Sequence, residues 1–119
     1  MYWKQTEEND PKTFSQIHNG IGLIKRRSIF EKRSELPVRV EIWELDEGVS
    51  EGDHTHDESN PLEEVYYFLE GEGEMTIDKK TIPVKDGDSI MVPPEVDHGI
   101  RNTGSIPLKL MIIWGTPQK

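Results

Sequence analysis

Residues 48–71 read GVSEGDHTHDESNPLEEVYYFLEG, and residues 87–102 read GDSIMVPPEVDHGIRN. His54 and His56 are two positions apart, so on an extended strand both imidazoles point to one face. Imidazole is the commonest nitrogen ligand for borderline divalent metals, and two on one face can converge on one ion. Glu64 opens the next strand-like run and can add a carboxylate. His98 starts a later run, behind Pro93 and Pro94. A lone His-x-His is common in chains that bind no metal, so the surroundings of these residues carry the argument. The remaining histidine, His18, lies in a polar segment and reads as a solvated bystander.

Outward from these stretches, short apolar runs alternate with turn signals. Runs with strand character cover residues 23–30, 38–45, 65–69, 74–77, 81–84, 89–92, 98–102 and 108–114. Residues 46–48, 71–73, 85–88 and 102–105 carry turn chemistry, and residues 78–80 a tight hairpin link. Nowhere does the i, i+3, i+4, i+7 spacing of a helix persist. The pattern predicts an all-β sandwich or small barrel over residues 21–115, with an irregular arm at 1–20 and a tail at 116–119. The run 65–69 is apolar on both faces, so both must be covered. A second subunit is the expected cover, and with it a homodimer.

At 119 residues the chain is one domain with room for a core. Lys plus Arg is 14 against 23 Asp plus Glu, a net charge of −9, which disfavours nucleic acid and anionic membranes as partners. The absence of cysteine excludes disulfides, thiolate zinc sites and Cys nucleophiles. No run is long enough for a membrane span, and the first residues lack a leader's apolar stretch, so the expected compartment is the cytoplasm. Lys25, Arg26, Arg27, Lys32 and Arg33 hold five of the 14 basic residues. An anionic partner is one reading of them; a solvated edge strand is the simpler one.

The two quoted stretches resemble the motifs of the cupin family. Gly48, five residues, His54-Thr55-His56, then Glu64, six residues and Gly71 match the first motif. Gly87, five residues, Pro93-Pro94-Glu95, two residues, His98, three residues and Asn102 match the second. The likeness covers residues 20–115 and departs in two places. Residues 57–62 read as an insertion at the pocket mouth that lengthens the gap between His56 and the acid. Only Glu64, not Glu58 or Glu63, has the right spacing to Gly71. Glu95 stands where the motif has glycine, which is expected to alter that turn.

The resemblance implies a cupin-type double-stranded β-helix, or jelly-roll barrel, whose ligands His54, His56, Glu64 and His98 hold one divalent ion (Fe, Mn, Ni, Zn or Cu). With a ligand charge of −1 such a centre stays electrophilic, and its open positions can polarise a carbonyl or activate oxygen. The expected function is action on a small oxygen-bearing metabolite, by dioxygenase, isomerase or lyase chemistry. The alternative is a non-catalytic module binding a sugar or carboxylate, in which the metal orients the ligand. With Glu64 inward, a period of two turns Tyr66 inward, which makes it the candidate catalytic residue, as acid/base or hydrogen-bonded support of the centre, with a wall aromatic as the alternative. Small family enzymes that cleave dimethylsulfoniopropionate share a tyrosine there, as do many other members. Arg39, Glu41, Phe68, Met91 and Ile100 are the candidate substrate-pocket residues, while Asn102 reads as structural. The phase of the insertion is testable by metal stoichiometry: Glu64→Gln weakens metal binding, whereas Glu63→Gln leaves it intact.

Overall fold

The computed structural model describes residues 1–56, 59 and 61–118. Its ten strands, in chain order, are β1 (Thr13–Ser15), β2 (Ile24–Ser28), β3 (Arg39–Leu45), β4 (Ser50–His54), β5 (Glu63–Glu70), β6 (Glu72–Ile77), β7 (Lys80–Lys85), β8 (Ser89–Val92), β9 (His98–Asn102) and β10 (Leu108–Gly115). No helix forms among the described residues. All strand pairs are antiparallel, in a six-stranded sheet β1-β2-β3-β10-β5-β8 and a four-stranded sheet β4-β9-β6-β7. The two sheets close on each other as a jelly-roll barrel, the all-β fold expected from the sequence.

Alternation sorts every strand into a core phase and an outer phase. Trp43 and Leu45 of β3, Tyr66 and Phe68 of β5, Met75 of β6, Ile100 of β9 and Leu108, Leu110 and Ile112 of β10 are buried and form the core with Ile24. Register stacks these residues across neighbouring strands, Ile112 opposite Tyr66 and Leu110 opposite both Phe68 and Trp43. The outer phase of β5, namely Val65, Tyr67 and Leu69, stays exposed, as does Met91 beside Val65 on β8.

Local turns follow their chemistry. The β6–β7 hairpin closes through Asp78 and Lys79, both at positive φ, the primed two-residue turn that matches strand twist. Asn102 ties the turn after β9 to β3: its Nδ2 donates to the carbonyls of Leu45 and Ile106, and its Oδ1 accepts from the Gly104 amide.

The expectation of an irregular arm is corrected. The arm is not wholly irregular, because β1 pairs with β2 at Phe14–Lys25. Residues 17–21 are strapped along β4: the Gly52 amide donates to Ile17 O, the Ser50 amide to Ile21 O, and the Ile21 amide to Ser50 Oγ. The strap lies so close that a Cβ at Gly52 would fall 1.9 Å from His18 O. Glu95, which stands where the motif has glycine, adopts the left-handed conformation itself, φ +69°. Left-handed backbone costs a non-glycine residue about 1–2 kcal/mol. Glu95→Gly should therefore stabilise the fold by about 0.5–1 kcal/mol after glycine's entropic cost, read as a higher urea midpoint at unchanged slope.

Candidate metal centre

The candidate ligands come from both sheets. His54 at the end of β4 and His98 at the start of β9 are direct cross-strand partners. Glu64 rises from β5 in the facing sheet, between Val92 of β8 and Trp114 of β10. His56 follows β4 in a segment pinned to the turn before β9, where the Glu95 amide donates to His56 O and Thr55 Oγ1 donates to Asp97 Oδ1. The facing ligand atoms of His54, His56, Glu64 and His98 all lie within 4.8 Å of one another.

Hydrogen bonds set the tautomers. Nδ1 of His54 lies 3.1 Å from Gly52 O, and Nδ1 of His98 lies 2.8 Å from Val96 O. A carbonyl can only accept, so both Nδ1 atoms carry hydrogen and both Nε2 lone pairs are left for the centre. Glu64 Oε1 sits 2.8 Å from His98 Nε2, 2.9 Å from His56 Nε2 and 3.9 Å from His54 Nε2. Despite that approach, Glu64 Oε1 and His98 Nε2 are buried without an aligned hydrogen bond. Buried polar atoms rarely lack partners. Ligand atoms that converge yet do not satisfy one another fit a shared divalent cation, and three nitrogens with one carboxylate oxygen suit a borderline transition metal.

The other Glu64 oxygen is engaged: Tyr66 Oη donates to Oε2 at 2.8 Å, two residues along on the same inward face. Burial raises the Glu64 carboxyl, but His98, Tyr66 and His56 outweigh it and hold the group below its usual range. Burial pushes the Tyr66 phenol well above its ordinary value, with the Glu51 and Glu64 charges adding to it. Burial drives the His54 imidazole down to about 4, so it stays neutral, the form that binds metal. His98 is also pushed down by burial, yet the Glu64 carboxylate and the Val96 carbonyl carry it above normal.

A cavity of about 200 Å³ opens beside these ligands. Its apolar wall is Ile17, Leu62, Ile112, Trp43 and Trp114; its polar wall is His18, Arg26 and Glu51. None of the five pocket residues expected from sequence lines it. Phe68 and Ile100 are in the core. Met91 faces outward because Val92 holds the inward phase of β8. Arg39 shares the inward phase of β3 but sits at the strand's start, paired with Glu31 at 2.9 Å over a separate groove. Glu41 is buried and already committed, to Arg26 Nε at 2.8 Å, Arg26 Nη2 at 3.1 Å, Ser28 Oγ at 3.1 Å and Trp43 Nε1 at 2.7 Å.

Three residues of the polar wall escaped sequence reasoning. His18 is solvated as expected but no bystander: the strap lays its ring on His54, centroids 3.5 Å apart and nearly parallel. Arg26 belongs to a basic run that the pleat splits. Lys25 and Arg27 face out to Glu44 and to Asp10 and Glu7, while Arg26 shares the inward phase of buried Ile24. That phase was the available signal. Glu51, within the first motif, is buried with Oε1 unpartnered, and Oε2 lies 3.9 Å from His54 Nε2. His18, Glu51 and His54 also bring ligand atoms together within 4.8 Å. The insertion proposed at residues 57–62 falls partly outside the described residues, at Asp57, Glu58 and Asn60.

Fold and site together define a barrel carrying a histidine–carboxylate centre. The chain belongs to the cupin family, whose domain model matches residues 41–114. A protein of Thermotoga maritima named as oxalate-binding is 28% identical over 92% of this chain and 89% of its own length. An uncharacterised protein of Methanocaldococcus jannaschii is 51% identical over 49 residues, 41% of this chain and 39% of that protein, so the match spans well under half of that relative. Among solved structures, a predicted oxalate decarboxylase of Thermotoga maritima superposes with TM-score 0.86 at 24% identity, over 94% of this chain and 97% of that one. The polyketide cyclase RemF of Streptomyces resistomycificus superposes with TM-score 0.82 at 15% identity, covering 98% and 81%. These two likenesses establish the fold alone.

Glu51 generates a prediction for the metal-free protein. Burial, aided by the Glu64 charge, pushes its carboxyl from 4.5 up to about 8. Above pH 4.5 the unfolded chain ionises this group while the native state keeps its proton, so stability falls until about pH 8. Glu51→Gln removes that loss. Its metal-free form should exceed wild type by a few kcal/mol, of the order expected for such a shift, at pH 8. The gain should vanish at pH 4.5, as measured by urea unfolding across pH.

Proposed function

We propose that this cupin holds one divalent transition metal on His54, His56, Glu64 and His98 and uses it to bind and transform a small carboxylate-bearing metabolite in the adjoining cavity. The observation that carries the reading is the convergence of the imidazole nitrogens on a carboxylate oxygen without mutual hydrogen bonding. Such an ion, when bound, acts as a Lewis acid toward an oxygen-bearing ligand. The protein's own part is orientation and exclusion. Gly52 O and Val96 O fix two imidazoles, Tyr66 fixes the carboxylate, and Leu62, Ile112 and Trp114 keep one side of the cavity dry.

In this reading Tyr66 is a positioning residue. Its hydroxyl is fully buried and spent on Glu64, and it does not line the cavity. A small carboxylate fits the modest cavity volume, and it agrees with the name of the oxalate-binding relative. That name also favours the second reading, a module that binds without turnover. The exposed apolar face of Val65, Tyr67, Leu69 and Met91 supports a homodimer through the six-stranded sheet.

Elemental analysis of protein purified without chelators tests the centre. We expect one equivalent of a transition metal in the wild type and none in His54→Ala/His98→Ala; full metal in the double variant would overturn the assignment. Tyr66→Phe should lower metal affinity by about tenfold, the scale of one hydrogen bond to a buried charge. Competition with a chromogenic chelator measures that loss.

A further inference from the structure

In the lining of the cavity that His54, His56 and Glu64 share, one cation is fixed in place and only partly used. Arg26 projects inward from β2, where Glu41 grips its Nε and Nη2 atoms with a two-pronged carboxylate. Its guanidinium carbon lies 5.6 Å from the Trp43 ring centroid, stacked on the aromatic face. Glu41 is itself held by Ser28 and by the Trp43 indole, so the fork cannot swing. Nη1 has no hydrogen-bond partner among the described residues, and the side chain lines the same cavity as His54, His56 and Glu64. A guanidinium locked in plane with donors to spare is built for a planar anion.

We propose that Arg26 anchors a carboxylate of the bound small molecule, whose other end meets the metal centre. Charge supports this. Glu41 is satisfied three times over, so a ligand carboxylate at Nη1 completes the guanidinium without stranding its partner. Size supports it as well: about 200 Å³ between Arg26, Trp43, Trp114 and the histidines holds a short diacid or oxo acid. Glu51 Oε1, also unpartnered and on the same wall, offers such a ligand a second polar contact. Arg26 precedes the residues matched by the family model, so this specificity belongs to the N-terminal segment and not to the shared motifs.

The proposal rests on the metal–carboxylate reading, and the test separates the two. Oxalate and oxamate have one size and differ by one carboxylate turned to amide. Calorimetric titration of Mn(II)-loaded protein with each should show wild type favouring oxalate by about tenfold or more, the scale of a charged hydrogen-bonded pair. In Arg26→Gln that preference should collapse toward unity, with metal content unchanged. Because Arg26→Gln strands the Glu41 charge, Arg26→Gln/Glu41→Gln is measured beside it and should lose the preference equally, while Arg26→Lys keeps part of it. If the double variant retains both affinity and preference, Arg26 is not the anchor and the carboxylate reading stands. If wild type binds neither compound, the carboxylate reading falls and the anchor with it.

Discussion

A carboxylate buried between two sheets governs this structure. Glu64 lies on the inner face of β5, 5% exposed, where an uncompensated charge would cost several kcal/mol. The fold answers it twice. Tyr66, on the same face, donates to one oxygen, and the imidazoles of His98 in the opposite sheet and of His56 just beyond β4 crowd the other. This requires His54 and His98 to be cross-strand partners, β5 to lie between β8 and β10, and the inner phases of both sheets to meet at one depth. The backbone carbonyls behind His54 and His98 complete the arrangement by deciding which nitrogen faces inward.

Much of this was legible in the sequence because it obeys a period of two. The separation of Glu64 from Tyr66 and Phe68 places that set on one face of β5 without knowledge of the rest of the chain, whereas β4 ends at His54 and His56 reaches the site from the segment beyond it. The motif glycines and Asn102 likewise mark turns that the structure contains. What escaped was non-local. Met91 and Arg39 were placed in the pocket because chemistry was read without phase or depth. Met91 lies one residue out of phase, and Arg39 lies in phase but beyond the cavity's end.

The N-terminal segment was misread for a related reason. Its residues carry no strong periodicity, and their order comes from hydrogen bonds to β4 that composition does not announce. His18 and Asn19 are solvent-exposed, as their polar stretch suggests, yet the bare backbone of Gly52 admits the strap at contact distance, which composition does not announce. The run Lys25, Arg26, Arg27 looks like one charged patch until the pleat sends its middle member inward. At Glu95 the sequence departs from the motif, and an exposed glutamate there carries the left-handed backbone that a glycine adopts without strain.

The cavity is thus assembled from two separately encoded parts. His54, His56, Glu64 and His98 all lie within residues 41–114, while His18 and Arg26 come from the strap and strand that precede them. These parts meet mainly through backbone hydrogen bonds and one carboxylate–guanidinium pair. Substitutions in the leading segment can then reshape the cavity's polar wall without touching any of the four converging residues.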